Sequence, residues 1–319
     1  MLDLASNEDP FEIRDLRLLF ALRELPAIFT ENQAKEAFLC DRDVANVANE
    51  IWEFLVHNSL VIPFSNTSLS RLLLWRKYHW TIAFLFHEGT RDHPFVDMTR
   101  RAGPLEDQER MQGYRMTNAQ PPLFMEHDAV ATHRLARLSD ASSKPDVETA
   151  SVRLGYFLDV SFGLREQHET YILKAVPSGG ARHPLEVYVF LLDSSIYAAG
   201  VYHYNVRSHS LDLLHNGDFG KLISSVSYDF LDQGDPFAVA LLSAHVERSM
   251  WRYRDARSAR AIYIDCGHAL SLATTVAREC GFATASTSNF SEDPLAATIG
   301  LNLTFDVPMA LLSLSNGLN

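Results

Sequence analysis

The chain has 319 residues, of which 47% are apolar and 21% are charged, a composition that can form a substantial hydrophobic core. Its 28 basic and 40 acidic residues give a formal charge of −12, which disfavours binding to nucleic acid or to an anionic membrane surface. The separated cysteines Cys40, Cys266 and Cys280 match neither a disulfide framework nor a paired zinc motif. With neither a signal peptide nor a membrane-spanning run in the sequence, we expect a cytoplasmic protein.

The first part of the chain is predicted to be helical. Apolar residues recur at three- and four-residue spacing over 13–25, which predicts a first helix. Thr30 and Gln33 have the spacing of a capping box and open a short second helix. A third helix is expected over 41–55, before a strand at 60–63. Three helices and a strand are typical of a winged-helix-like module.

We place this module at residues 1–90. It holds more acidic than basic residues and no cluster of Lys or Arg on its third helix, so we expect peptide binding or structural packing rather than DNA binding. Its last segment, 68–86, is dense in aromatic and aliphatic side chains and is predicted to be one buried helix. Trp75 and Trp80 are expected in the core, with a cofactor contact as the alternative.

The composition changes at residues 91–128, where charges, Gly and Pro interrupt any periodicity. We interpret this segment as a linker or a wrapping arm. The remainder, 129–319, alternates helical patterns with strand-like runs at 185–191 and 238–242. That alternation predicts an α+β or α/β fold.

The most informative stretch is the loop PSGGARHP at 177–184, directly before the first of those strands. Two adjacent glycines allow a backbone to approach a ligand closely, and a serine hydroxyl with free amides can hydrogen-bond a planar heterocycle or a phosphate. A tight turn that only leads into the strand is the alternative. The candidate ligand-binding residues are Pro177, Ser178, Gly179, Gly180, Ala181 and Arg182.

This loop resembles the PSxGAxxPLExY sequence of the SagB/ThcOx group of nitroreductase-like flavoproteins, the azoline dehydrogenases of peptide natural-product pathways. Three further motifs of that group follow in order: a G-x-Y-H-Y…H-x-L hairpin at 200–211, a W-R-Y…D-x-G-H pattern between 251 and 268, and a glycine-ended helix followed by a strand around 280–290. The resemblance covers roughly residues 130–319.

The resemblance implies an α+β fold, with a nitroreductase-like FMN domain at 129–319 after the winged-helix-like module. It also implies a homodimer with FMN in two clefts at the subunit interface. The glycine loop would contact the flavin together with His268 and Thr284, although a core role is the alternative for His268. Arg134 and Arg137 stand where the family has arginines that hold the FMN phosphate. A solvated helix start is the alternative for these two residues.

The family's proton-transfer pair, a lysine and a tyrosine, matches Arg252 and Tyr253 here. Dehydrogenation of an azoline ring sends a hydride to the flavin and a proton to a base. Because arginine stays protonated, we expect Tyr253 to be the base and Arg252 to support it electrostatically. The alternative is that both pack in a basic, aromatic strip, residues 251–260, that faces a carboxylate or the flavin phosphate.

By the same resemblance the protein is expected to use FMN to oxidise azoline rings, or a comparable C–C or C–N single bond, in a peptide natural product. The expected partners are the peptide substrate or its precursor peptide, a cyclodehydratase and a second copy of the chain. One alternative is a nicotinamide-dependent reductase of nitro compounds or enones. The other is a flavin-free, inactive homologue that acts as a scaffold or binding partner in a biosynthetic complex. No metal site is expected from the spacing of His, Cys and acidic residues.

Overall fold

The computed structural model describes residues 25, 29–39, 42–57, 66–91, 98–137, 149–227 and 236–317. Its contacts divide the chain into two compact units, Met1–His93 and Pro94–Asn319. The predicted first helix, apart from its last residue, and the predicted strand at 60–63 lie outside the described residues.

The described part of the first unit is helical. Thr30 caps the first of its helices as predicted: its hydroxyl accepts from the amide of Gln33, whose side chain accepts from the amide of Thr30 at 2.8 Å. The single helix predicted over 41–55 is wrong, because an i→i+3 bond from the amide of Val47 to the carbonyl of Val44 tightens the chain there into a turn. The helices are α1 Glu31–Phe38, α2 Arg42–Asn46, α3 Ala48–His57, α4 Asn66–Lys77 and α5 Thr81–Gly89.

The segment predicted as one buried helix over 68–86 is instead divided between α4 and α5. His79 between them has a left-handed φ of 61°, which an α-helix cannot accommodate. Leu72 and Phe84 are buried, whereas Trp80 is 63% exposed. The expected core position is therefore wrong for Trp80, which packs edge-on against Trp75 at the helix junction.

The second unit is built on an antiparallel sheet flanked by helices. Its helices are α6 Gly103–Thr117, α7 Ala150–Phe162, α8 Gly220–Val226, α9 Glu247–Arg252, α10 Ala259–Glu279 and α11 Glu292–Ile299. Its strands are β1 Ala131–Arg134, β2 Leu164–Gln167, β3 Ile172–Lys174, β4 Leu185–Leu191, β5 Gly200–Asn205, β6 Ser210–Asn216, β7 Ala238–His245, β8 Phe282–Thr287 and β9 Asp306–Asn316. Within the described residues, seven strands pair in the order β1-β6-β5-β4-β7-β9-β8, while β2 and β3 form a separate pair.

Both faces of this sheet are covered, which explains why β4 is an unbroken apolar run apart from one glutamate. Val187 and Val189 pack on one face with residues of α7 and α10, while Tyr188 and Phe190 pack on the other with residues of α8 and α11. The predicted strands at 185–191 and 238–242 and the hairpin at 200–211 are confirmed. The α+β class is confirmed as well.

Helix α6 occupies the middle of the segment that the sequence analysis interpreted as a linker or wrapping arm. Its start is favoured by Pro104, which lacks an amide hydrogen in a first turn that leaves such hydrogens unpaired. Across the described ranges, no helix has both the length and the hydropathy needed to cross a bilayer.

Candidate active site

The loop that enters β4 has an unusual backbone. Gly180, Ala181 and His183 all have left-handed φ values, of 58°, 55° and 44°. Such a conformation suits glycine but costs other residues about 1–3 kcal/mol each. A strained loop of this kind persists only where surrounding contacts impose it, and functional sites are where it concentrates.

Asp265 of α10 imposes the conformation of the loop. Its buried carboxylate accepts a hydrogen bond from the hydroxyl of Ser178 at 2.6 Å and one from the amide of Gly179 at 3.2 Å. The same hydroxyl accepts from the amide of His183 at 2.9 Å. Burial raises the pKa of Asp265, and the bonds from Ser178 and Gly179 oppose that shift. The hydroxyl and amide expected to face a ligand therefore hold the loop in shape.

Tyr253 follows α9 and lies directly against the glycine loop. A Cβ atom built on Gly180 would collide with the Tyr253 hydroxyl and would lie 2.9 Å from its Cζ. The left-handed φ favours glycine at this position, and any larger residue would also force the tyrosine to shift. The structure brings together these two residues, which the sequence analysis had assigned to separate motifs.

Arg252 lies between Tyr253 and helix α6. Its Nη2 donates to both carboxylate oxygens of Asp107, at 2.9 and 2.8 Å, and its guanidinium lies 4.7 Å from the ring centroid of Tyr253. Arg254 stacks on the ring of Tyr114 of the same helix, 4.0 Å from its centroid. The basic, aromatic strip thus packs on α6, and its Arg252 faces a carboxylate.

Arg182 places a second cation next to the tyrosine. Its Nε donates to the carbonyl of Gly180 at 2.9 Å. Burial lowers the pKa of Arg182, and the nearby Tyr253 opposes that shift. An arginine held in this way can form a charge-assisted hydrogen bond with a phosphate.

A small cavity of about 20 Å³, room for about one water molecule, lies next to the loop. It is lined by Lys174, Ser178, His183 and Asp265 together with apolar residues. Burial lowers the pKa of Lys174 to about 8, and burial together with Lys174 lowers that of His183 to about 3. The cavity therefore adds a lysine that can change protonation near neutral pH, which the sequence analysis did not identify.

A buried charge pair anchors the loop from the side of the sheet. Glu186 of β4 contacts Arg248 of α9 at 2.6 Å and His203 of β5 at 2.9 Å. Burial raises the pKa of Glu186, but Arg248 and His203 outweigh it and hold the pKa well below its usual range. Arg248 also donates to the carbonyl of His183 at 3.1 Å. A glutamate inside an otherwise apolar strand was the sequence signal for this pair.

The two arginines expected to hold the flavin phosphate lie at the same end of the sheet as the loop. Across the strands, Arg134 of β1 lies opposite Ser210 of β6, which lies opposite Asn205 of β5. This register places Arg134 level with Glu186 of β4. Three strand spacings separate β1 from β4, or about 14 Å. Arg134 is exposed, while Arg137 contacts Asp159 at 3.6 Å.

Two other predicted contacts lie in different places. His268 is exposed on α10 and is close enough to Asp265 to influence its pKa, so the alternative of a core histidine is wrong. Thr284 of β8 lies opposite Leu314 of β9, and the register continued through β7 places both level with Leu191 of β4. That is the far end of β4, about 20 Å along the sheet from the loop. Within one chain, Thr284 and the loop are not brought together.

Comparisons with known proteins agree with this architecture. The Nitroreductase family model matches residues 128–315, more than half of the chain. The trifolitoxin-processing protein TfxB of Rhizobium leguminosarum bv. trifolii is 43% identical over 109 residues, which are 31% of this chain and 27% of TfxB. TfxF, another trifolitoxin-processing protein of that organism, is 32% identical over 129 residues, 39% of this chain and 42% of TfxF. The chain therefore spans less than half the length of either relative.

A solved structure shows the same fold. The crystal structure of a proposed nitroreductase from Anabaena variabilis matches with a TM-score of 0.57 and 22% identity, over 67% of this chain and 46% of that chain. Because the family model matches more than half of its length, the chain belongs to the nitroreductase family.

Proposed function

We propose that this protein is an FMN-dependent dehydrogenase that oxidises azoline rings, or a comparable C–C or C–N single bond, in a peptide natural product. The observation that carries the proposal is the contact of Tyr253 with Gly180, which sets an acid–base group on the loop expected to follow the flavin. The similarity to two proteins named for processing trifolitoxin supports a peptide substrate.

The residues at this site fit a flavin mononucleotide. The strained loop exposes backbone at Gly180, and Arg182 supplies a half-buried cation beside it. Arg134 and Arg137, at the same end of the sheet, would hold the phosphate by charge-assisted hydrogen bonds. FMN, when bound, would supply the acceptor for a hydride and so take up two electrons.

Tyr253 would accept the proton that leaves the substrate carbon. Arg252 and Arg182 both place positive charge near its ring and would support it electrostatically. The substrate loses a hydride and a proton, so one single bond becomes a double bond. Arg252 would only support the base, because an arginine side chain does not serve as a proton acceptor.

The remaining parts of the proposal concern partners. The first unit would act as a winged-helix-like module that holds the peptide or its precursor, and a cyclodehydratase would supply the azoline. A second copy of the chain would complete each flavin cleft. Tyr263 and Ile264 are 65% and 56% exposed on α10, and exposed apolar side chains of this kind would suit an interface between subunits. We place the protein in the cytoplasm.

The proposal is tested with a synthetic peptide that carries one thiazoline ring. Protein loaded with FMN is incubated with this peptide in air, and mass spectrometry follows the loss of two hydrogen atoms. The matched peptide with an unmodified cysteine controls for other oxidations. Conversion of the thiazoline alone supports the proposal. Turnover of a nitroaromatic compound with NADPH, but not of the thiazoline, would replace it with the reductase alternative.

A further inference from the structure

We propose that Asp107 of α6 is a positioning residue that holds the Arg252–Tyr253 pair against the glycine loop, an inference that rests on the function proposed above. Both carboxylate oxygens of Asp107 accept from one nitrogen of Arg252, at 2.8 and 2.9 Å. The side chains of Asp107 and Arg252 are only 23% and 21% exposed. Partial burial shields this pair from solvent and makes it stronger than an exposed ion pair.

Asp107 acts on Tyr253 indirectly, through Arg252. With its guanidinium anchored on Asp107, Arg252 lies 4.7 Å from the ring centroid of Tyr253 in cation–π geometry. The hydroxyl of that ring lies in turn against Gly180. A free Arg252 would have several rotamers, and the tyrosine would lose one of the contacts that fix its ring.

Helix α6 has further attachments to the same strip. The indole nitrogen of Trp251 donates to the carbonyl of Asn118 at 3.1 Å, and Arg254 stacks on Tyr114. Removal of the Asp107 charge should therefore leave the helix docked and the protein folded. The segment that lacked periodicity in the sequence thus carries a side chain that sets the geometry of the candidate site.

The test compares Asp107→Asn with Asp107→Glu in the full-length protein loaded with FMN. Glu106→Gln is the matched control, because Glu106 lies on the same helix in an exposed pair, 3.4 Å from Arg100. We expect Asp107→Asn to lower kcat for the thiazoline peptide by about tenfold or more, since small misplacements of reacting groups cost this much. KM and bound FMN should change less than about twofold, and Asp107→Glu should recover most of kcat.

A second readout separates this proposal from the proposed function. Hydrogen–deuterium exchange should be faster in Asp107→Asn at residues 178–182 and 251–254 than in the wild type and in Glu106→Gln. If the wild type does not oxidise the peptide, the proposed function fails, while faster exchange at the loop still supports the positioning role. Unchanged exchange at the loop, or a wild-type kcat in Asp107→Asn, would overturn it.

Discussion

The hydroxyl of Tyr253 lies so close to Gly180 that a Cβ atom at that position would force the tyrosine to move. Gly180 also has a left-handed φ of 58°, and its neighbour Gly179 donates to Asp265. The tyrosine, the loop and the long helix α10 therefore form one connected arrangement at the end of β4. This arrangement joins the proposed base to the loop expected to contact the flavin.

Replacement of Tyr253 by Phe removes the proton acceptor and keeps the ring. We expect FMN to stay bound while the oxidation of the thiazoline peptide falls by about a hundredfold or more, the usual contribution of a general base. Initial rates and flavin absorbance measured on the same sample check both parts. Unchanged turnover would remove the tyrosine from the mechanism.

Replacement of Gly180 by Ala should disturb the site through the same contact. The added methyl group would meet Tyr253, and the loop would hold alanine at a left-handed φ. We therefore expect a loss of about 1–3 kcal/mol in the free energy of unfolding. In the double variant with Tyr253→Phe, part of this loss should be recovered, because the hydroxyl is gone while the Cζ contact remains. Denaturant unfolding of the single and double variants measures the recovery.

The control for that pair is Gly113→Ala on α6, where an added Cβ would meet nothing within 4 Å. This variant should gain about 0.5–1 kcal/mol, as expected for alanine inside an exposed helix. If Gly180→Ala behaved in the same way as the control, the close approach of the tyrosine would be contradicted.

Lys174 should make stability depend on pH. Burial lowers its pKa from 10.5 to about 8, so between these values the unfolded chain binds more protons than the folded one. The stability that this lysine contributes therefore rises with pH across that interval. We expect Lys174→Met to have a higher free energy of unfolding than the wild type. This difference should be largest below pH 8 and should shrink towards pH 10.5.

Urea unfolding at pH 7 and pH 10 would measure this difference. Lys221→Met, on an exposed position of α8, controls for the loss of one positive charge. The difference in unfolding free energy between Lys174→Met and the wild type could instead be the same at both pH values. That result would show that Lys174 is not desolvated in the folded protein.

Loss of both Arg134 and Arg137 should weaken FMN binding. Each charge-assisted hydrogen bond to a phosphate contributes about 1.5–3 kcal/mol, so the double replacement by Ala should raise the Kd for FMN by more than tenfold. Flavin fluorescence quenching gives that Kd. Arg165→Ala is the matched control, because Arg165 also contacts Asp159, at 3.1 Å. Retention of FMN by the double variant would show that the phosphate is held elsewhere.

Local patterns in the sequence predicted the elements that local interactions determine. The capping box at Thr30, the strands at 185–191 and 238–242 and the hairpin at 200–211 are all present. The division between α4 and α5 was missed, because the left-handed turn at His79 carries neither Gly nor Pro to signal it.

Contacts between distant segments could not be predicted from such patterns. Asp265 and Ser178 are 87 residues apart, and Asp107 and Arg252 are 145 residues apart. The family motif drew attention to Tyr253, but only the fold shows which carboxylate anchors its neighbour Arg252. Thr284 illustrates the opposite case, because its motif matched while the sheet register separates it from the loop.

Retention of FMN by the purified protein is the most direct test of the proposed dehydrogenase. FMN is added, unbound flavin is removed by gel filtration, and the visible absorption spectrum is recorded. We predict a yellow protein with about one FMN per chain, with a flavin band shifted from that of free FMN. Elution of all the flavin separately from the protein would contradict the proposed dehydrogenase and leave the scaffold alternative.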